Sequence, residues 1–273
     1  MAEISTSGAR APALRREVVF RGGGFAPEAR PLYSWVAFIA LLAVWQAAIS
    51  VGWLNPLFLP SPASILTALW RLFASGEIWQ HLSASLMRIG LGWLIGTALG
   101  LLLGLAMGLL SAFRAVGLPF VSALYPIPKI ALLPLLILWL GIGESPKVAT
   151  IAAGVLFPTV IATFSGVDAV PRNLIRMAQS FNLPTAGIIT KIVLPAALPG
   201  ILAGFRISIA TALLLVVAAE MIGAQFGVGA FLLTAGNLMQ TDDLMAGVVI
   251  LSVLGLGLGA ILTLVERTFL RWR

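Results

Sequence analysis

Long apolar stretches alternate with short polar segments along most of the chain. A helix that crosses a bilayer needs about 20 mostly apolar residues, because the hydrocarbon layer is about 30 Å thick and each residue advances the helix by about 1.5 Å. Six stretches meet this requirement, so the pattern predicts spans near residues 34–51, 81–111, 117–141, 147–167, 198–221 and 244–265. The last is the most clearly apolar, since residues 244–265 contain no charged side chain.

The third stretch contains prolines that an uninterrupted helix does not tolerate. Pro126 and Pro128 are followed directly by Lys129, and Pro134 comes soon after. Each proline removes a backbone donor and clashes with the preceding turn, so the sequence predicts a kinked or broken span. Irregular backbone at membrane depth is stable only within protein or beside water, and we therefore expect this segment to face the interior.

Two other patterns predict how helices begin and pack. Ser61 and Pro62 suit the first turn of a helix, and residues 63–73 then form a short amphipathic helix that we place at the outer interface, with Trp70 as its anchor. The second span carries glycines at every fourth position, which places them on one helix face: Gly92, Gly96, Gly100, Gly104 and Gly108. Such a stripe favours close packing of another helix over a ligand groove.

The composition excludes a soluble globular domain. Hydrophobic residues make up 60% of the chain and charged residues 10%, with a mean hydropathy of +1.05. Soluble domains are about 25% charged. The net charge of +7 could indicate nucleic-acid binding in a soluble protein. Here the basic residues flank apolar spans, which favours membrane lipids as neighbours and no nucleic acid. We expect residues 34–273 to form one membrane domain, preceded by a disordered, basic, cytoplasmic arm at 1–33.

The distribution of basic residues predicts the orientation of the spans. With the N-terminus inside, the cytoplasmic segments are the arm, the turn at Arg114, the 168–197 loop and the tail, which hold five, one, three and three basic residues. The outer loops hold only Arg71 and Lys147 together with several acidic residues. Because basic residues concentrate on the cytoplasmic side, both termini are expected inside the cell.

Ionisable residues inside spans are the main candidates for function. They are Arg88 in the second span, Lys129 in the third, and Arg206 and Glu220 in the fifth. A charge in hydrocarbon must meet water, another charge or backbone carbonyls. Structural pairing and direct contact with a transported solute both remain open for these groups.

Sequence signals for an enzyme are absent. The chain has no Gly-x-x-x-x-Gly-Lys-Ser/Thr phosphate loop, no His-Glu-x-x-His motif and no Gly-x-Ser-x-Gly motif. It also has no cysteine, and His81 is its single histidine. We therefore expect no catalytic site, no metal site and no cofactor in this chain, so that any energy from ATP must arrive through a partner.

The 168–197 loop has the composition of a docking element. Residues 172–183 form a predicted short helix, Pro184 ends it, and residues 185–192 form another. Exposed leucine, methionine and phenylalanine side chains on such a loop would fit a groove in another protein. A helix lying on the lipid surface is the alternative.

This loop resembles the EAA loop of binding-protein-dependent ABC importer permeases. In that motif Glu-Ala-Ala is followed by three residues, Gly, nine residues and Ile-x-Leu-Pro. Arg176 stands at the Glu position, Met177 and Ala178 at the two Ala positions, and Asn182 at the Gly position, while Ile192, Leu194 and Pro195 match. Five other segments resemble the nitrate, sulfonate, taurine and bicarbonate branch: residues 59–62, 126–134, 138–144, 194–201 and 218–220.

The resemblance implies an all-α type I importer fold in the bacterial inner membrane. It implies two permease copies, most simply a homodimer, two cytoplasmic ATPase subunits that bind ATP and Mg, and a periplasmic or lipid-anchored solute-binding protein. The chain would form the path of a small organic or inorganic anion, such as sulfonate, taurine, nitrate or bicarbonate, by ATPase-coupled alternating access.

The resemblance also implies roles for particular residues. The ATPase-coupling residues would be Arg172, Arg176, Met177, Ala178, Gln179, Ser180, Phe181, Asn182, Leu183 and Pro195. The translocation path would include Pro126, Pro128, Lys129, Pro134 and Glu220.

Two departures from the motif bear on this interpretation. Arg176 in place of Glu removes an acidic group that could pair with a basic residue of a partner. Asn182 replaces the turn glycine, but Asn tolerates left-handed backbone, so we expect the turn to persist. An ion-coupled secondary transporter is the main alternative and a membrane enzyme a distant third. A secondary transporter usually shows paired internal repeats, which the sequence does not display.

Overall fold

The computed structural model describes residues 31–270, and this part of the chain consists of helices joined by short connections. The α-helices are α1 Pro31–Ser50, α2 Pro62–Ser75, α3 Glu77–Leu109, α4 Ser111–Leu124, α5 Leu133–Leu140, α6 Ser145–Asp168, α7 Arg172–Ser180, α8 Thr185–Ile188, α9 Leu194–Gly223, α10 Val228–Asn237 and α11 Thr241–Phe269. A 3₁₀ turn at Lys129–Leu132 precedes α5, and a π-helical turn at Ile189–Val193 precedes α9. Most of the predicted N-terminal arm lies outside the described residues.

The prediction of about six membrane spans is confirmed within residues 31–270. Helices α1, α3, α6, α9 and α11 are long and apolar enough to cross a bilayer, and α4 with α5 forms a sixth span that is bent by 87°. Several helices extend beyond the predicted windows. For example, α3 begins at Glu77 and α11 runs from Thr241 to Phe269. The extra turns carry polar residues, so an apolar window underestimates helices that continue into the aqueous interface.

The short amphipathic helix forms as predicted. The Ser61 hydroxyl accepts a hydrogen bond of 3.0 Å from the backbone N–H of Ser64, and Pro62 occupies the first turn, where its missing N–H costs nothing. The helix ends at Gly76, whose left-handed φ of 80° suits glycine. One face of α2 is buried against α10 and α11, whereas Trp70 on the other face is 77% exposed.

The glycine stripe of α3 packs against α6 in one constant register. Along the stripe, successive glycines face β-branched residues that also recur every fourth position: Ile151, Val155, Thr159, Thr163 and Val167. A methyl group at Gly104 would lie 2.6 Å from Cβ of Thr163, and one at Gly92 would lie 2.6 Å from Cγ2 of Ile151. These distances are shorter than carbon atoms approach without bonding. The expectation of close helix packing is confirmed.

The pairing order shows that α3 and α6 are parallel, because Gly92 meets Ile151 at one end and Gly108 meets Val167 at the other. The chain must therefore return across the full thickness of the helix layer between Leu109 and Ser145. Only α4 and α5 are available for this return. The bent pair is thus a crossing span and not a loop that re-enters the same side.

Helix α9 completes the centre of the bundle and runs antiparallel to α6. Gly166 of α6 lies near Ala197 at one end of the contact, and Gly154 lies near Leu215 at the other. Helix α9 also contacts α3, where the indole N–H of Trp93 donates a 2.8 Å hydrogen bond to the hydroxyl of Ser208. The three helices α3, α6 and α9 therefore form a packed unit, beside which the broken span and the cytoplasmic loop are positioned.

Candidate functional site

The side chain of Lys129 forms hydrogen bonds with backbone carbonyls at the break in the third span. In a continuous helix the carbonyl of Leu124 would accept from the backbone N–H of residue 128, but Pro128 has none. The Lys129 ammonium donates instead, at 2.8 Å to the carbonyl of Leu124, 3.1 Å to that of Tyr125 and 2.7 Å to that of Ile127. The predicted break is confirmed, and Lys129 adds donors to the carbonyls around it, of which that of Leu124 also accepts from the backbone N–H of Ile127 at 3.3 Å.

Lys129 lies near the middle depth of the bundle. Its ammonium is 4.4 Å from the ring centroid of Phe157, a residue close to the midpoint of α6. A lysine at the bilayer centre costs about 2.5 to 3.5 kcal/mol on insertion scales, and the three carbonyls with the aromatic face offset this cost. In this conformation all three ammonium protons are donated to carbonyls. Contact between Lys129 and a solute stays a prediction.

The prolines of this segment have different positions. Pro126 and Pro128 lie in the irregular turn itself, and both are exposed on this chain. Pro134 lies in the first turn of α5, where proline is well tolerated, so it starts a helix and does not kink one. Their assignment to a translocation path also stays a prediction.

Glu220 is buried near the outer end of α9, with its side chain 0% exposed. Its carboxylate accepts from Nη1 of Arg88 at 2.7 Å, from the Ser85 hydroxyl at 2.7 and 2.9 Å, and from the backbone N–H of Gly229 at 2.8 Å. Three donors compensate the burial of this carboxylate, one of them a hydroxyl that both carboxylate oxygens share. Glu220 is therefore enclosed by protein in this conformation, and its place in the path stays a prediction.

Arg88 connects this buried carboxylate to the surface. Its Nη2 donates at 2.8 Å to Glu144, whose side chain is 48% exposed, and its Nη1 donates at 2.6 Å to the carbonyl of Phe226. The hydrogen-bonded guanidinium holds the pKa of Glu144 below its usual range, so this carboxyl is ionised at neutral pH. The cluster joins α3, α9 and the start of α6 at their outer ends.

Sequence reasoning placed Arg88 and Glu220 in spans and allowed for their pairing, but it missed Ser85 and the role of Glu144. Ser85 lies three residues before Arg88 and therefore on the same face of α3, a spacing that could have identified it. Nothing in the local sequence connects Glu144 to Arg88. Among the described residues, no group of three acidic, histidine or cysteine side chains could hold a metal ion.

The cytoplasmic loop contains the predicted short helices and the predicted turn. Helix α7 ends at Ser180, and Asn182 adopts a left-handed φ of 52°. The N–H of Asn182 donates to the carbonyl of Gln179 at 2.9 Å, and that of Leu183 donates to Ala178 at 3.2 Å. As expected, Asn takes the backbone conformation that a glycine would otherwise provide.

One face of this loop packs against the spans, and the opposite face is exposed. Ala178 is 1% exposed and packs in a cluster with Val167 and Val193, which belong to α6 and to the turn before α9. Met177 and Phe181 are 52% and 76% exposed. The remaining candidate residues Arg172, Arg176, Gln179 and Ser180 are also exposed, while Leu183 and Pro195 are half-buried. A force on the exposed side would thus be passed to α6 and α9 through buried contacts.

Comparison with known proteins identifies the family of this arrangement. Residues 96–272 match the model of the binding-protein-dependent transport system inner membrane component family. The chain is a permease of this family. It is 41% identical over 238 residues to the putative aliphatic sulfonates transport permease protein SsuC of Escherichia coli, covering 87% of this chain and 90% of the relative. It is 35% identical to the taurine transport system permease protein TauC of the same organism, covering 85% and 86%.

The permease also resembles solved ABC importers in fold. An inward-facing structure of the MetNI methionine ABC transporter has a TM-score of 0.58 and 21% identity, and the match covers 70% of this chain and 94% of that one. The predicted fold class, an all-α integral membrane protein with the fold of a type I ABC importer permease, is confirmed. The permease is therefore a multi-pass inner-membrane protein.

Proposed function

We propose that the permease forms the translocation path of an ATP-driven importer for small organic sulfonates. Two copies would enclose the path, two cytoplasmic ATPase subunits would bind the face of the 172–183 segment that carries Met177 and Phe181, and an external binding protein would deliver the solute. Closure of the ATPases on ATP would move the loops together and open the path outward, and hydrolysis would reset it.

The geometry of the cytoplasmic loop carries this proposal. Met177 and Phe181 are large apolar side chains, four residues apart, on the outer face of the loop. An exposed apolar patch with a polar rim, here Arg176, Gln179 and Ser180, is typical of an interaction site. Ala178 on the inner face is in contact with the ends of two spans. An exposed apolar outer face together with an inner face packed on the spans supports a docking element that transmits motion. The same arrangement disfavours a helix that only lies on lipid.

The sulfonate assignment is supported by the relatives and by charge. Two relatives that match most of the chain are described as permeases for aliphatic sulfonates and for taurine, which is itself a sulfonate. Lys129 places a positive charge at mid-depth, beside the irregular turn of the broken span. A cation at this depth lowers the electrostatic barrier for an anion.

Co-purification of the ATPase subunits tests the docking role. Replacing Met177 and Phe181 together with aspartate should release the ATPases, because two charges would enter an apolar contact. Phe269→Asp is the matched control, since Phe269 is 55% exposed at the end of α11 and away from the loop. Normal ATPase association in the double variant would contradict the assignment of the docking face.

Stimulation of the ATPase rate by added solutes in a reconstituted importer tests the substrate class. The ATPase rate of the complex with its binding protein should rise with taurine or an alkanesulfonate and remain at its basal level with nitrate or bicarbonate. Stimulation by nitrate alone would favour the inorganic-anion alternative.

A further inference from the structure

A cavity of about 500 Å³ lies beneath the cytoplasmic loop. It separates the end of α3 and the first turn of α4 from α7, α8 and the π-helical turn. Its deep part is apolar and is lined by Leu105, Val167, Ile188 and Val193. This cavity lies between the proposed docking face and the spans.

The rim of the cavity is cationic. Arg114 and Arg172 both line it, with Asp168 as the single carboxylate. Arg114 donates to Asp168 at 2.7 Å and lies 5.0 Å above the ring of Phe164, and both partners of this ion pair are more than 40% exposed. Arg172 is exposed and makes no ion pair with any described residue. The rim therefore has an excess of positive charge and a guanidinium whose donors are available.

The predicted orientation of the spans places the cavity at their cytoplasmic ends. Its walls are the cytoplasmic ends of α3 and α6, and Leu109 and Leu110 at its edge are 37% and 52% exposed. Apolar walls and a cationic rim at this depth match a molecule with an acyl chain and an anionic headgroup. Basic pockets between helices on the cytoplasmic side bind anionic lipid headgroups. We propose that this cavity binds an anionic phospholipid of the cytoplasmic leaflet, with its phosphate at Arg172 and Arg114.

Charge and helix geometry disfavour other occupants. The first 30 residues of the chain hold five arginines and three glutamates, so this segment is itself net positive and not complementary to the rim. The ATPase would approach from another direction. Ile175 lines the cavity, whereas Met177 lies roughly 200° further around the axis of α7, since successive residues of an α-helix are about 100° apart. The lipid site and the proposed docking face are therefore on opposite sides of one helix.

A bound lipid would fill the gap between the loop and the α3–α4 turn. Motion of α7 would then reach α3 through the lipid as well as through the Arg114–Asp168 ion pair. The transmission of motion from α7 to α3 would then depend on the anionic lipid content of the membrane. This inference needs only the membrane orientation of the chain, so it can hold or fail independently of the proposed transport function.

Native mass spectrometry of the purified full-length chain tests the proposal, with equal amounts of phosphatidylglycerol and phosphatidylcholine added. The wild type should retain more phosphatidylglycerol than phosphatidylcholine. Arg172→Gln should weaken retention about fivefold, the effect expected for one basic residue near anionic lipid. Ala106→Phe should also reduce retention, because it fills the cavity and leaves the charge unchanged. Arg267→Gln removes an exposed cytoplasmic charge outside the cavity and should bind like the wild type.

Three outcomes would overturn the proposal. The first is equal retention of phosphatidylglycerol by the wild type and Arg172→Gln. The second is equal retention of the two lipids by the wild type. The third is displacement of the lipid by an excess of inorganic phosphate alone, which would identify a small-anion site. Arg172 is exposed, so its replacement leaves the fold intact and the comparison interpretable.

Discussion

Replacing Arg88 with methionine removes the positive charge from the outer cluster and leaves the Glu220 carboxylate without its ionic partner. The two side chains are 3% and 0% exposed, so water cannot replace the guanidinium. Methionine keeps a similar length and an apolar stem, and the change therefore acts mainly through charge. Glu144, which is 48% exposed, returns to water at little cost.

The structure sets the size of the effect. Removing one partner of a buried ion pair costs about 3 to 5 kcal/mol. Ser85 and the N–H of Gly229 continue to donate to Glu220, so we expect the lower end of this range, about 3 kcal/mol or roughly a hundredfold in the folding equilibrium. Adding Glu220→Gln removes the isolated charge and keeps an acceptor for both donors. The double variant should therefore recover more than half of the loss.

Thermal unfolding in detergent, followed by tryptophan fluorescence, measures these differences. Arg114→Met is the matched control, because Arg114 and its partner Asp168 are both exposed, at 42% and 43%. Exposed pairs contribute about 1 kcal/mol or less, so this control should melt near the wild type. A melting temperature of Arg88→Met equal to that of the control, or a double variant less stable than either single variant, would refute the reasoning.

Three further predictions concern the packing, the loop turn and the broken span. Gly104→Val should destabilise the protein by about 1 to 3 kcal/mol, since its first carbon would lie 2.6 Å from Thr163, whereas Gly90→Ala, which points into open space, should melt like the wild type. Asn182→Gly should preserve ATPase association, but Asn182→Val should weaken it, because left-handed backbone costs a β-branched residue more than about 1 kcal/mol. Lys129→Met should lower transport in vesicles without preventing complex assembly.

Much of the fold followed from local patterns. The spans, the amphipathic α2 and the break after Pro126 depend on length, capping and missing donors, all of which act within a few residues. The glycine stripe also predicted a close helix contact. It did not identify α6 as the partner, because the matching β-branched ridge on α6 has the same spacing as many other helix faces.

The side-chain partners could be predicted only in part. The Arg88–Glu220 pair joins residues 132 positions apart, and Glu144 joins the same guanidinium from a third element. Only the packing order of α3, α6 and α9 brings these groups together. Lys129 shows the opposite case, since its three acceptors lie within five residues of it. The missing N–H of Pro128 could have indicated this local role from the sequence.

Solute uptake into vesicles tests the central claim most directly. The permease is reconstituted with its ATPase subunits and its binding protein, and the accumulation of labelled taurine or an alkanesulfonate is followed. Uptake should require Mg and ATP on the ATPase side and should be lost when the ATPase subunits are omitted. Accumulation by the permease alone on a proton or sodium gradient would contradict the account and would identify an ion-coupled secondary transporter.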